Sequence, residues 1–179
     1  MDPDHPPPEV EDIRGILCVC GLEEPEYMEH PVISPIRVCV SSIMRRRARI
    51  FSQMINQFPI LSTTGIERVG VGMLQMNADG NMNWGRGLAL LALACTVVRR
   101  VSGSRLLTEF ALRVLPLYVY QAIGPNWFHA HGGWNGLRMY CRQFMEQQGN
   151  MRMFLLLTAA GLVATVMALW LSSRQGPLG

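Results

Sequence analysis

Between Gly87 and Val98 the chain carries no charge, and Leu88, Leu90, Leu91, Leu93, Val97 and Val98 cover every side of a helical wheel. A helix that is apolar all round must be enclosed by other helices or by lipid. Its twelve uncharged residues rise only about 18 Å, too little to cross a bilayer. The pattern therefore predicts the central helix of a bundle, over 83–101, opened by Asn83-Trp84-Gly85-Arg86. On either side the periodicity is amphipathic. Ile13, Ile16, Leu17 and Cys20 recur at helical spacing and predict a first helix over 9–24, opened by prolines. "PEYMEHPVISP" reads as a loop broken by Pro25, Pro31 and Pro35. One long second helix follows, with Val40, Ile43, Ile50, Phe51, Met54 and Phe58 on one side and Arg45, Arg46 and Arg49 on another, ended by Pro59. Ile66, Val69, Met73 and Leu74 predict a short helix over 64–77, weakened by Gly65, Gly70 and Gly72. After the central helix come a helix over 104–123 with a kink at Pro116, and short helices over 126–131 and 133–146. No stretch alternates as a strand would, and nothing repeats. The expected class is all-α.

A second uncharged run, 153–171, differs in kind. It lies between Arg152 and Arg174, and only Thr158 and Thr165 interrupt its apolar character. Its nineteen residues rise about 28 Å, close to the thickness of a hydrocarbon core. It reads as a C-terminal transmembrane helix, which divides the chain into a helical domain over 1–150 and an anchor with a short tail over 151–179. The N-terminus, acidic and proline-rich, has the character of neither a secretory signal nor a transit peptide.

Charge sharpens this picture. Residues 1–29 hold nine acids and one arginine, whereas the remainder holds four acids and fifteen arginines. A basic body suits anionic membrane surfaces or acidic partner helices. The "RRRAR" run at 45–49 is read as the solvated face of an amphipathic helix rather than a nucleic-acid patch. Every basic residue is arginine, so the chain lacks the lysine amine that ubiquitin usually modifies. The five cysteines (18, 20, 39, 95 and 141) form no C-x-x-C pair and read as small buried hydrophobes in a reducing compartment.

Catalytic and metal chemistry finds no foothold. His129 and His131 stand two apart, on different sides of a helix, and with Cys141 they match no established zinc spacing. Glu67, Asp79, Glu109 and Glu146 are scattered and offer no carboxylate pair for acid–base work. Gly70-Val71-Gly72 lacks the preceding strand and third glycine of a dinucleotide site. No serine or cysteine stands in a nucleophile elbow. The expected class is a binding module, not an enzyme, with no cofactor, metal, nucleic acid or small-molecule substrate.

Two clusters remain, and together they identify a family. "NWGR" at 83–86 resembles the first homology region of the Bcl-2 apoptosis regulators. "WFHAHGGWNGL" at 127–137 resembles the second, a tryptophan, a short spacer, then Gly-Gly-Trp. The order, the interval and the terminal apolar run fit as well. The short N-terminal half is similar to viral members, herpesviral ones in particular, and to avian cellular survival proteins. The resemblance implies a bundle of about eight helices around a central apolar hairpin. It also implies helix-in-groove recognition, in which the amphipathic BH3 helix of a pro-death partner lies in a surface groove.

By that resemblance Arg86 pairs with an aspartate of the ligand helix, Gly85 lets the ligand backbone approach, and Asn83 touches the same polar end while capping the central helix. Trp84, Trp127 and Trp134 are expected to pack structurally, around Gly132 and Gly133. An internal salt bridge is the lesser alternative for Arg86, since the body holds so few acids. Phe51, Met54, Val69 and Met73 are expected to line the groove walls. The family's own BH3 pattern, Leu-x-x-x-Gly-Asp, is not kept: Ile43-Met44-Arg45-Arg46-Arg47-Ala48 lacks both the glycine and the aspartate. This favours a survival protein that sequesters BH3 helices over a pore-forming killer. The anchor implies tail insertion into intracellular membranes, the mitochondrial outer membrane first and the endoplasmic reticulum second.

Overall fold

The computed structural model describes residues 6–23 and 33–146, which fold as eight α-helices with no strand among them. They are α1 (Pro8–Leu17), α2 (Ile33–Arg46), α3 (Ala48–Ile55), α4 (Thr63–Gln75), α5 (Trp84–Val101), α6 (Arg105–Ile123), α7 (Pro125–Ala130) and α8 (Gly133–Glu146). α1 runs on into a π-helical turn, Cys18–Leu22, closed by Glu23 in the left-handed region. The uncharged run at 153–171 lies outside the described residues.

α5 is the axis of the bundle. Twelve of its eighteen residues are buried, and α1, the π turn, α2, α3 and α6 all pack against it. That enclosure is what an all-round apolar sequence requires. Serine and asparagine caps start the helices that matter most here. Ser62 accepts the Gly65 N–H at 3.1 Å at the head of α4, and Asn83 accepts the Arg86 N–H at 3.0 Å at the head of α5.

Two sequence expectations need correction. The long second helix is two helices: α2 ends at Arg46, and Arg47 (φ −114°, ψ 15°) breaks the helical geometry before α3. Apolar spacing carries across such a break because both pieces bury the same side. Pro35 does not end a loop but sits in the first turn of α2, where its missing N–H would have had no intrahelical partner. The glycines of α4 do not undo it, because they serve packing. A Cβ at Gly70 would fall on the ring of Tyr118, so this glycine lets α4 lie close along α6.

α6 continues through Pro116 rather than stopping there. Proline has no N–H, so the carbonyl four residues earlier, Leu112, loses its helical donor. Arg14 of α1 supplies one, its Nε–H donating to Leu112 O at 3.2 Å. A defect in one helix thus becomes a tie to another.

Candidate groove and its polar end

The two tryptophan clusters meet in space. Trp84, at the first position of α5, stands edge-on to Trp127 at 4.8 Å and to Phe128 at 5.9 Å, and Phe128 stands edge-on to Trp134 at 5.1 Å. The start of α5 is thereby fixed to α7 and α8. Gly132 (φ 85°) and Gly133 (φ 54°) turn the chain between those helices through a conformation that side-chain-bearing residues rarely adopt. Phe128, buried at the centre of the cluster, was not singled out by sequence reasoning; its place beside Trp127 was the available signal.

α4 lies mainly along α6, whereas α3 lies along α2 and α5. A seam is left between α3 and α4. Met54, Ile55 and Phe58 form one side of it, Val69, Gly72, Met73 and Met76 the other, and Leu93 of α5 the floor. The enclosed space is about 10 Å³, room for one water at most. Of the four wall residues expected from sequence, Met54, Val69 and Met73 line this seam together. Phe51 does not: it is buried in the core one turn away. Ile55, Phe58, Gly72, Met76 and Leu93 were missed. Phe58 and Met76 continue the helical spacing of Met54 and Met73, and that was the signal for them.

Met76 links the seam to Arg86. Its side chain lines the slot, and its carbonyl accepts from Arg86 Nη1 at 3.2 Å. Arg86 also meets Asp79 end-on, Nη1 to Oδ1 at 2.6 Å and Nη2 to Oδ2 at 2.8 Å. This is the internal salt bridge ranked as the lesser alternative, and it is present. Scarcity of acids was a poor guide, because Asp79 belongs to the turn that leads directly into α5. The Asp79 Oδ1 also accepts the Asn81 N–H at 3.0 Å. Arg86 above all, and then that N–H, hold the Asp79 carboxyl well below the usual carboxylate range. Asn83 caps α5 from the exposed side, and Gly85 is half-buried beside it.

The remaining candidates have other neighbours. His131 stacks on Trp127 at 4.2 Å and its Nδ1 lies 2.8 Å from the Trp127 carbonyl. His129 faces Glu9 at 3.6 Å. Cys141 is buried, its carbonyl accepting from Cys39 Sγ at 3.5 Å. A larger hollow of about 430 Å³ lies between α2 and α8, and of the two motifs only Asn135 lines it.

Comparison with known proteins agrees with the motifs. Residues 36–134 match the family model described as apoptosis regulator proteins, Bcl-2 family. The chain is 46% identical to the apoptosis regulator Bcl-2 homolog of Human herpesvirus 8 type P (isolate GK18), over 98% of this chain and all of that protein. It is 35% identical to anti-apoptotic protein NR13 of Coturnix japonica, over 39% of this chain and 38% of that one.

Proposed function

This chain belongs to the Bcl-2 family of apoptosis regulator proteins, and from that premise we propose that it is a survival member that sequesters the BH3 helices of pro-death partners. The observation that carries the reading is the joining of an apolar seam to a cation through a single residue, Met76. An amphipathic helix offers such a site two things: apolar side chains on one stripe for the slot, and an acid at the end of that stripe for Arg86. The slot is too small for a leucine as it stands, so binding requires α3 and α4 to part. Gly85, in the first turn of α5, leaves room for the ligand backbone at the polar end.

Survival is favoured over killing by the end of α2. Ile43 and Met44 are buried there, Arg45 and Arg46 are exposed, and no Gly-Asp pair follows. A cationic segment of this kind is a poor ligand for another groove that offers an arginine. The matched avian relative is itself named anti-apoptotic. Residues 151–179 serve as the anchor of a domain over 1–150, holding the groove at an intracellular membrane, the mitochondrial outer membrane or the endoplasmic reticulum.

Calorimetry with a BH3 peptide tests the reading. A charge-assisted bond at a partly desolvated site contributes about 1.5–3 kcal/mol, so Arg86→Ala should weaken binding about 10- to 100-fold. Changing the peptide's aspartate to alanine should cost a similar factor, and the two changes together little more than either alone. Full additivity would mean that the two residues do not meet.

A further inference from the structure

We propose that Asp79 is a counter-ion built into the recognition site, competing with the ligand's aspartate for Arg86 and setting how strongly the groove discriminates that aspartate. This rests on the groove reading above and adds a residue to it.

A guanidinium presents five N–H groups in a fixed fork. In Arg86 both hydrogens of Nη1 are taken, one by the Met76 carbonyl and one by Asp79 Oδ1, and Nη2 gives one to Asp79 Oδ2. The end-on fork is filled. An incoming carboxylate must therefore displace Asp79 or settle on the remaining edge, Nε and the second Nη2 hydrogen, with its charge facing that of Asp79. Either route makes Asp79 an opponent of the ligand's acid.

The two partners are placed for exchange. The Asp79 side chain is 47% exposed and that of Arg86 20%, so a released carboxylate returns to water while the guanidinium stays at the edge of the seam. Arg86 keeps its bond to the Met76 carbonyl whichever anion it holds, and so remains aimed. The Asn81 N–H tethers Asp79 within the turn at 3.0 Å, which keeps the competitor at a high local concentration. Arg86 also holds the Asp79 carboxyl well below the ordinary range, and the competitor is charged at physiological pH.

Asp79→Asn separates charge from shape. Asparagine keeps an oxygen for the Asn81 N–H and for Nη1 but loses the negative charge. The full-length protein is placed in phosphatidylcholine nanodiscs and titrated with two synthetic peptides, one bearing the Leu-x-x-x-Gly-Asp core and one with its aspartate changed to asparagine. D79N should tighten the aspartate peptide about 2- to 5-fold, a range in keeping with one surface ion pair. It should shift the asparagine peptide by less than about 2-fold. Asp79→Ser should give the same pattern, and about 0.5 M salt should shrink the gain by screening. Helical circular dichroism checks that each variant is folded. If the unaltered protein binds neither peptide, the groove reading falls and this inference with it. If it binds the aspartate peptide but D79N weakens it, leaves it unchanged, or tightens both peptides equally, the competition is overturned and the groove reading stands.

Discussion

Replacing Trp84 with alanine separates the structural share of the "NWGR" motif from its recognition share. The Trp84 ring stands edge-on to Trp127 and Phe128, with centroids 4.8 and 5.9 Å away. Each such pair contributes about 0.5–1.5 kcal/mol beyond area burial. Truncating a fully buried tryptophan to alanine costs about 3–5 kcal/mol. Trp84 is only partly buried, which puts the expected loss at about 2–4 kcal/mol. Because the ring ties the first turn of α5 to α7 and α8, Trp84→Phe should recover part of that loss. Arg86→Ala should shift the midpoint far less, since its carboxylate partner is half-exposed and its bond to the Met76 carbonyl is a single part-buried contact. Urea unfolding of residues 1–150, tracked by helical circular dichroism, measures all three. A Trp84→Ala loss under about 1 kcal/mol, or an Arg86→Ala loss of equal size, would refute this division.

Gly70→Ala should destabilise by about 1–3 kcal/mol, because its methyl meets the Tyr118 ring; in the same unfolding assay Tyr118→Ala should absorb part of that loss. Arg14→Ala leaves the Leu112 carbonyl without its donor and should cost about 1 kcal/mol. Pro116→Ala restores a helical N–H there, so adding it should reduce the Arg14→Ala cost, and additive losses would count against the tie. A chain ending at Asn150 should keep its helical circular dichroism and leave the carbonate-resistant membrane pellet; retention in the pellet would overturn the anchor.

What the sequence disclosed follows the range of each interaction. α5 was legible because enclosure demands apolar residues on every face, and α1, α6, α7 and α8 because capping residues, prolines and glycines act within a turn or two. The break at Arg47 was not, since α2 and α3 bury a continuous stripe on either side of it. Pro35 was misread because proline stops a helix only beyond its first turn. At the site, spacing marked Met54 on α3 and Val69 and Met73 on α4 as apolar-face residues, and they line the two sides of the seam, but Phe51 has the same periodicity and is buried one turn away from it. Helical spacing says that a residue is buried and leaves open whether a seam opens beside it. The Arg14 bond to Leu112 spans most of the chain and has no local signal. The Asp79–Arg86 pair spans a single turn, and counting acids over the whole body hid an acid that lay close at hand.

The proposed binding also divides the site into a part that stays in place and a part that must open. Asn83 accepts the backbone N–H of Arg86, so the cap that starts α5 also sets where the guanidinium begins. Trp84 pins the same turn to α7 and α8, and the buried length of α5 fixes its direction. The polar end of the groove is therefore rigid, held from three sides. The apolar end is not held in this way. α4 rests chiefly on α6, α3 rests on α2 and α5, and the slot between them is closed over about 10 Å³. Its walls are rich in methionine, whose unbranched side chain refills irregular gaps at little cost. Opening the seam for a ligand would let Met54, Met73 and Met76 repack, while Arg86 would stay in place. On the proposed function, recognition divides into a fixed charge that sets register and an adaptable apolar seam that accepts different side chains. A groove that works as proposed would discriminate among ligand helices mainly at its polar end, where Asp79 sits.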